Sequence, residues 1–384
     1  MSEWKEYKLD ELGTLQRGRS RHRPRYAFHL YGGQYPFIQT GDIRQAKKYI
    51  TKYEQTYNEE GLKQSKLWPK NTLCITIAAN IAELAILSFD ACFPDSVLGF
   101  IADEQKSDVD YIYYTLTHFQ KQLKHIGEGS VQDNINLGTF QNFLFPIPEI
   151  KEQRNIAAVL SCLDSKIDLL HRQNSTLEAL ARTFFRQWFI IEPVDGYETK
   201  PLSTIANFLN GMACQKYPPK NDIDKLPVLK IRELSDGISD DSDWATSLVP
   251  PEYVVDAGDV IFAWSASLMV KIWSGEKCVL NQHLFKVTSD DYPKWFYYLW
   301  CKHHLDEFIG IAEAHATTMG HIKRGDLDEA KVLLPPRDEL ASMSAQMTPI
   351  IDKIIFNLKQ LKSAEKLRDT LLPKLISGEV RVRC

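Results

Sequence analysis

Five arginines, Arg17, Arg19, Arg21, Arg23 and Arg25, fall on every second residue of the stretch LQRGRSRHRPRY at positions 15–26. A guanidinium carries a planar fork of donors that meets a phosphate through two parallel hydrogen bonds, and it meets the O6 and N7 edge of guanine in the same way. Alternate side chains of an extended backbone project to one side, so this run predicts a row of cations on one face. The chain carries 46 lysines and arginines against 50 aspartates and glutamates, a formal net charge of -4. The positive run is therefore a local feature, and it is the distribution of charge that bears on nucleic acid. The competing reading is a solvated surface loop.

A second constellation points to different chemistry. Pro94 and Asp95, followed by Glu104 and Lys106 in PDSVLGFIADEQK, satisfy the spacing of a nuclease in which two carboxylates and a lysine hold Mg²⁺ and polarise a phosphate. The pattern is short, and a related stretch further along the chain has Asn281 and Gln282 in place of Pro94 and Asp95. No Asn-Pro-Pro-Tyr or Asp-Pro-Pro-Tyr tetrapeptide is present, and YPPK and LPPR lack the Asn or Asp that would hold a flipped adenine. Neither a G-x-G turn for S-adenosylmethionine nor a G-x-x-x-x-G-K-[ST] loop for ATP occurs, and there is no G-x-S-x-G elbow. The expectation is a chain without a catalytic centre or a cofactor site of its own.

Cys74, Cys92, Cys162, Cys214, Cys278, Cys301 and Cys384 are scattered with no C-x-x-C pair, and the histidines are close only at His303–His304. This predicts no zinc site, no disulfide framework and a reducing, cytoplasmic setting. The start, MSEWKEYKLDEL, has no apolar signal region. The longest apolar stretch, LCITIAANIAELAILSF, is interrupted by Asn80 and Glu83, short of the roughly 20 residues of a membrane helix.

The elements that must position these residues are written twice. YKLDELGTLQRG places Leu9, Leu12, Leu15 and Gly18 at steps of three, and KPLSTIANFLNG places Leu202, Ile205, Phe208 and Gly211 likewise. YPFIQTGDI pairs with LPVLKIREL, and LWPKNTLCITIA with VVDAGDVIFAWS, the latter as turn then strand. The aromatic-rich helical stretches YIYYTLTHFQKQL and KWFYYLWCKHHLDEF correspond, as do FLFPIPEI and VLLPPRDEL, each a strand running into a proline turn. Two diverged copies imply two related domains, each followed by a helix.

Both helical stretches carry a heptad seam. The first is Ile156, Leu160, Leu163, Ile167, Leu170, Asn174, Leu177, Ala181, Phe184 and Trp188. The second is Met343, Met347, Ile350, Ile354, Asn357, Leu361, Ala364, Arg368, Leu371 and Leu375. Each holds one asparagine, Asn174 or Asn357, of the kind that fixes register at a cost in stability. The seams predict that the helices pair with each other, and residues 151–188 alone would span roughly 57 Å. Pro349 is expected to kink the second helix or start a new segment with Thr348 as its N-cap, and Gly378 to end it. Off the seam, Ile351, Ile355, Leu358 and Leu367 are expected to form an apolar surface for a partner.

On these residues the sequence resembles the specificity subunit of type I restriction–modification systems. The segments that carry the resemblance are WKEYKLDELGTLQRG, YPFIQTGDI, LRDTLLPKLISGEV and, most specifically, FPIPEIKEQRNIAAVLSCLDSKIDLL with Pro148, Glu152, Gln153, Ile156 and Asp164. The second copy departs from it: PPRDELASM lacks the Gln and Ile of PEIKEQRNI. The resemblance implies an α+β chain with two tandem mixed α/β target recognition domains, 1–147 and 193–334. Between and after them it implies two long helices, 148–192 and 335–384, forming an antiparallel coiled-coil-like pair with pseudo-twofold symmetry. It further implies double-stranded DNA as ligand, with each domain reading one half of a bipartite site. Two methyltransferase subunits and motor-nuclease subunits would be the partners, and S-adenosylmethionine, ATP and Mg²⁺ would sit on those partners.

The candidate DNA contacts are then the five arginines with Gln39, Thr40, Arg44, Lys47 and Lys48, and Gly129, Ser130, Gln132 and Asn134 ahead of the last strand of the first copy. In the second copy they are Lys216, Lys220, Lys230, Arg232, Thr317, Thr318, Lys323 and Arg324. The alternatives are a free-standing DNA-binding regulator and a nuclease built on Asp95, Glu104 and Lys106.

Overall fold

Continuous apolar runs bounded by turn residues make strands buried on both faces. LCIT (Leu73–Thr76) and LAIL (Leu84–Leu87) are two such strands, and VIFA (Val260–Ala263) is a third, every residue of each being buried. A computed structural model describes the molecule over residues 4–22, 24, 27–78, 81–128, 138, 140, 143–194, 196–314 and 320–382. The chain divides into two compact units, one of residues 1–165 with 366–384 and one of residues 166–365.

In unit 1 a five-stranded sheet has the order Gly13–Arg17, Val97–Ala102, Leu73–Thr76, Leu84–Leu87, Tyr49–Ile50. A second sheet has the order Gln55–Tyr57, Tyr31–Phe37, Ala91–Cys92, Leu67–Trp68, and a short ladder joins Lys5–Tyr7 to Phe145–Ile147. The helix Val109–Glu128 buries Tyr111, Ile112, Tyr114 and Leu116 with Leu73, Ile75, Ile86 and Phe100 of the larger sheet.

Unit 2 repeats this plan. Its first sheet runs Asn207–Asn210, Leu284–Thr288, Val260–Ala263, Met269–Ile272, the order of unit 1 without the fifth strand. Its second runs Trp244–Thr246, Lys225–Leu229, Cys278–Leu280, Val254–Val255, and Glu198–Pro201 pairs with Lys331–Leu334. In both second sheets the central pair is parallel and the outer pairs antiparallel. Lys294–His303 supplies Trp295, Phe296 and Trp300 to a core with Phe262, Phe285 and Val287. The duplication expected from the sequence is thus present strand by strand, the fifth strand of the first sheet apart.

The helices Ile150–Arg186 and Arg337–Ile376 are the longest elements, and each contributes to both units. Within unit 1, Ile156 and Leu160 share a core with Leu371 and Leu375. Arg368 Nη1 lies 3.2 Å from Asp164 Oδ1, and Arg381 Nε lies 3.8 Å from Glu152 Oε1, so one residue number rises as its partner's falls and the pairing is antiparallel. Within unit 2, Leu177, Ala181, Phe184 and Trp188 join Met343, Met347, Ile350 and Ile354 in one core. Among the described residues no helix is long and apolar enough to cross a membrane.

Gln153, fully buried, ties the first helix to unit 1. Its Nε2 donates to the carbonyls of Lys106 and Pro148, both at 2.9 Å, and its Oε1 accepts from the backbone N–H of Asp108 at 3.0 Å.

Two expectations about the second helix are corrected. Of the two outcomes expected at Pro349, a kink or a new segment, the new segment is excluded and Thr348 is not an N-cap, because Arg337–Ile376 is one continuous helix. A proline inside a helix costs about 3 kcal/mol, whereas the buried Met347 and Ile351 each contribute about 1.5–3 kcal/mol, and they hold the adjoining turns against unit 2. Nor do Ile351, Ile355 and Leu358 form an outward surface. Ile351 belongs to the core of unit 2 and the other two pack on that core, which leaves only Leu367 of the four exposed. Gly378 does end the helix, with φ at 72°.

Candidate nucleic-acid interface

The arginine run leaves an edge strand. Arg17 closes Gly13–Arg17, and the residues beyond it continue with a period of two: Gly18 and Ser20 are buried, Arg17 and Arg21 exposed, Arg19 half-buried. Backbone bonds fix the path. Gly18 N–H donates to Val97 O at 2.8 Å, and Arg19 N–H donates to Phe93 O at 3.0 Å. The crossing requires glycine, since a Cβ at Gly18 would lie 2.2 Å from Pro94 O.

The end of the short helix Glu59–Gln64 grips the run from the other side. Gln64 Oε1 accepts from the backbone N–H groups of Arg21 (2.6 Å) and His22 (2.9 Å), and Ser65 Oγ donates to Arg19 O at 2.7 Å. The backbone is held at both edges, with Arg17 and Arg21 exposed and Arg19 half-buried. No carboxylate pairs with Arg17, Arg19 or Arg21 among the described residues, and Arg19 Nε is buried without a hydrogen-bond partner there. Such unpaired donors suit an anionic ligand.

Sequence spacing missed Lys66. It is brought beside the run by the fold, donating to Gln16 Oε1 at 2.7 Å with its ammonium 3.7 Å from the centre of the Trp68 ring. Burial lowers its pKa. No local signal marks it, because the strand containing Gln16 lies 50 residues away.

Unit 2 makes the same crossing with different chemistry. Gly211 N–H donates to Leu284 O and Met212 N–H to Leu280 O, both at 3.0 Å, and a Cβ at Gly211 would lie 2.2 Å from Asn281 O. Gly211 therefore stands where Gly18 stands, Asn281 where Pro94 stands, and Met212 and Cys214 where Arg19 and Arg21 stand. Cys214 is buried. The cations of this loop are Lys216 and Lys220, both exposed.

The remaining candidates fall into three groups. Arg44, Lys47, Lys323 and Arg324 are exposed, and Gln39 and Thr40 are half-buried, with Gln39 Nε2 donating to Gln55 Oε1 at 2.7 Å. Lys230 and Arg232 are already paired, with Asp243 and Glu233 respectively. Lys48 does not join the surface, because it is buried. Its ammonium lies 2.9 Å from Asp110 Oδ1, donates to Ser161 Oγ (2.8 Å) and Tyr114 OH (3.2 Å), and sits 4.4 Å from the centre of the Tyr114 ring. Tyr114 OH in turn donates to Asp164 Oδ2 at 2.5 Å. Burial and the Asp164 carboxylate raise the Tyr114 pKa well above that of a free phenol. Lys48 thus belongs to an internal network that reaches the first long helix. Arg23, Arg25, Gly129, Ser130, Gln132, Asn134, Thr317 and Thr318 lie outside the described residues.

The nuclease alternative is overturned by the strand Val97–Ala102, which lies between Asp95 and Glu104. At about 3.3 Å per residue the two carboxylates stand roughly 20 Å apart, too far to share a metal ion, and Lys106 pairs instead with Asp103 at 3.4 Å.

Asn174 and Asn357 face each other in unit 2. Asn357 Nδ2 donates to Asn174 Oδ1 at 2.9 Å, and Asn174 Nδ2 donates to Ile354 O at 3.4 Å.

Comparison with known proteins gives a consistent picture. The type I restriction modification DNA specificity domain matches twice, over residues 1–179 and 195–366. The chain is 27% identical to the type I restriction enzyme MjaIX specificity subunit of Methanocaldococcus jannaschii, across 99% of this chain and 94% of that one. It is 19% identical to the HindI specificity subunit of Haemophilus influenzae, across 99% of this chain and all of the other (100%). Its fold is similar to the crystal structure of a type I restriction–modification S subunit from M. genitalium, with a TM-score of 0.64 at 16% identity over 97% and 96% of the two chains.

Proposed function

Since the chain belongs to the type I restriction modification DNA specificity family and is the non-catalytic specificity subunit of such a system, we propose that its two duplicated units are separate readers, each recognising one half of a bipartite site on double-stranded DNA. The observation that carries this reading is the repeated crossing at Gly18 and Gly211, one scaffold presenting two different sets of side chains. One set holds Arg19 and Arg21, and the other holds Met212 and Cys214 followed by Lys216 and Lys220. A shared scaffold with unlike loops suits two unlike half-sites.

In this reading Arg17, Arg19, Arg21, Lys66, Arg44 and Lys47 serve the first half-site, and Lys216, Lys220, Lys323 and Arg324 the second. Phosphate contacts set register and base contacts set sequence. The modules are 1–147 and 193–334 for reading, and 148–192 and 335–384 for assembly. Two methyltransferase subunits dock on the helical modules, where Leu169, Leu180, Phe356 and Leu367 are exposed. Motor-nuclease subunits join the same complex for cleavage. S-adenosylmethionine, ATP and Mg²⁺ are held by those partners.

Exchange of 193–334 for the matching segment of a related specificity subunit tests this. The hybrid is expressed with the methyltransferase subunit, and the methylated motif is read by methylome sequencing. One half of the motif changes and the other is retained. A change in both halves would refute independent reading.

A further inference from the structure

Backbone bonds align the two copies residue by residue beside the glycine crossings. Gly18 N–H donates to Val97 O and Arg19 N–H to Phe93 O, while Gly211 N–H donates to Leu284 O and Met212 N–H to Leu280 O. Gln282 and His283 therefore stand where Asp95 and Ser96 stand. Ile77 N–H donates to Ser96 O at 3.0 Å and Trp264 N–H to His283 O at 3.4 Å, so Trp264 takes the place of Ile77. In the ladders Leu98 lies opposite Arg17 and Phe285 opposite Asn210, so Asn210 takes the place of Arg17. Unit 2 thus carries amides, an indole and an imidazole where unit 1 carries Arg17 and Asp95.

These side chains hold one another. Trp264 Nε1 donates to Asn210 Oδ1 at 3.1 Å, and the indole stacks on Phe285 of the core at 5.6 Å. Gln282 N–H donates to Met212 O at 3.0 Å, which fixes Gln282 to the crossing. Its side-chain Nε2 lies 3.4 Å from His283 Nε2, and His283 Nδ1 lies 3.2 Å from Oγ of the buried Ser265. An amide nitrogen only donates, so His283 Nε2 accepts and the ring carries its proton on Nδ1. The half-buried Gln282 side chain is left with Oε1 and one amide hydrogen uncommitted among the described residues. Ile322 N–H donates to Trp264 O at 3.1 Å, which joins this cluster to the segment carrying the exposed Lys323 and Arg324. Neither cation pairs with a carboxylate among the described residues: Asp326 accepts from the backbone N–H of Lys323 at 2.6 Å, and Asp328 accepts from Ser203 Oγ.

We infer that Gln282 reads an adenine of the second half-site, with His283 as its positioning residue. This rests on the DNA reading proposed above and deepens it. A phosphate offers acceptors only, so the Gln282 carbonyl has no partner there, whereas base edges carry donors as well. In the major groove adenine presents its N6 donor beside its N7 acceptor. Guanine presents two acceptors, cytosine a donor, and thymine an acceptor beside a methyl group. Adenine alone matches an amide that offers one acceptor and one donor. The bond to His283 takes up the other amide hydrogen and keeps the amide from turning over, so acceptor and donor stay on fixed sides. Asp95, at the same place in unit 1, is a carboxylate that accepts only and suits a different base edge.

The test uses the specificity subunit assembled with its methyltransferase partners. The half of the motif that belongs to residues 193–334 is the half that changes in the exchange hybrid. The cognate duplex is made with 7-deazaadenine, which lacks the N7 acceptor, at each adenine of that half in turn. Kd is measured for the parent, Gln282→Ala, His283→Leu and His283→Gln. Gln282→Ala weakens cognate binding roughly five- to hundredfold, the worth of one bidentate base contact. At one adenine the analogue weakens the parent about fivefold, the worth of one hydrogen bond, and leaves Gln282→Ala unaffected. His283→Leu loses discrimination at that same adenine. His283→Gln returns an acceptor to the place of Nε2 and recovers most of it, which a packing role would not give. All variants keep the first half of the motif, which shows that they fold and assemble. A parent that tolerates the analogue at every adenine of that half would overturn the inference, whether or not the variants assemble. So would a Gln282→Ala complex with parental affinity, or one as sensitive to the analogue as the parent. In those cases an exchange that changes one half of the motif leaves the DNA reading standing. An exchange that changes both halves, or neither, overturns the reading and the inference together.

Discussion

The Nδ2 of Asn357 donates to Oδ1 of Asn174 at 2.9 Å, joining two buried amides whose residues lie 183 positions apart in the chain. Each amide belongs to the one asparagine of its heptad seam. Asn357 Nδ2 also reaches Gln173 Oε1 at 3.3 Å, while its own Oδ1 is buried with no partner among the described residues. The pair is a partly satisfied polar site inside an apolar seam, the arrangement that specifies register at the expense of stability. Asn174→Leu alone strands the Asn357 amide and destabilises unit 2 by about 1–3 kcal/mol. The double variant Asn174→Leu, Asn357→Leu removes both polar groups and is at least as stable as the parent. Urea unfolding of the four chains, analysed as a double-mutant cycle, checks this. Additive losses in the double variant would contradict the account.

The arginine run gives a salt-dependence prediction. Each phosphate neutralised contributes roughly 0.9 to the slope of log affinity against log salt. Replacing Arg17, Arg19 and Arg21 by Gln in the assembled complex flattens that slope by about one to three. The sequence preference of the second half-site is retained. A slope equal to the parent's would make the run a solvated loop.

The duplication was legible because its markers are local. Glycines at equal places, a proline before a short apolar run and aromatic helices all survive divergence as patterns, and both seams are strict enough to show their asparagines. Lys48 was not legible. It adjoins the exposed Lys47 in sequence, and its partners Asp110 and Ser161 come from elements 62 and 113 residues away. Pro349 misled for the opposite reason. Local rules offered a kink or a new segment there, and the second does not occur, Met347 and Ile351 being buried on either side of the proline. The inequality of the two loops that follow the glycine crossings could be seen in their arginine and lysine content. Their residue-by-residue equivalence could not, because it depends on which backbone carbonyl each loop meets.

Lys48 supplies a stability prediction that separates architecture from DNA contact. Lys48 is buried but Asp110 is partly exposed and also accepts from Tyr49 OH, so removing the lysine costs less than the roughly 3–5 kcal/mol of a fully buried pair. Lys48→Met therefore lowers the melting temperature of unit 1 by several degrees. The salt slope of DNA binding by the assembled complex is unaffected. A variant with parental melting and a flatter slope would instead return Lys48 to the DNA surface.

The two glycine crossings give the sharpest test of the duplicated scaffold. A methyl group at Gly211 meets the Asn281 carbonyl at 2.2 Å and the Leu280 carbonyl at 2.7 Å, and at Gly18 it meets the Pro94 carbonyl at 2.2 Å. Backbone cannot yield as a flexible side chain can, so either alanine pushes its crossing segment away. Gly211→Ala weakens the bonds from Gly211 N–H to Leu284 O and from Met212 N–H to Leu280 O. Overpacking of this kind costs about 1–3 kcal/mol, and each strained hydrogen bond adds about 1 kcal/mol. Gly41 is the control: it lies in the helix Thr40–Gln45, and a Cβ there meets nothing within 4 Å. Gly41→Ala therefore gains up to about 1 kcal/mol from helix propensity. In methylation assays with partner subunits, Gly18→Ala lowers discrimination at one half-site and Gly211→Ala at the other, because each displaces only its own loop. Thermal melting of the three chains and half-site mismatch profiles of the assembled methyltransferase measure both effects. Melting of Gly18→Ala and Gly211→Ala equal to the parent's would show that the crossings tolerate a side chain, and that the loops are not held by the contacts assigned to them.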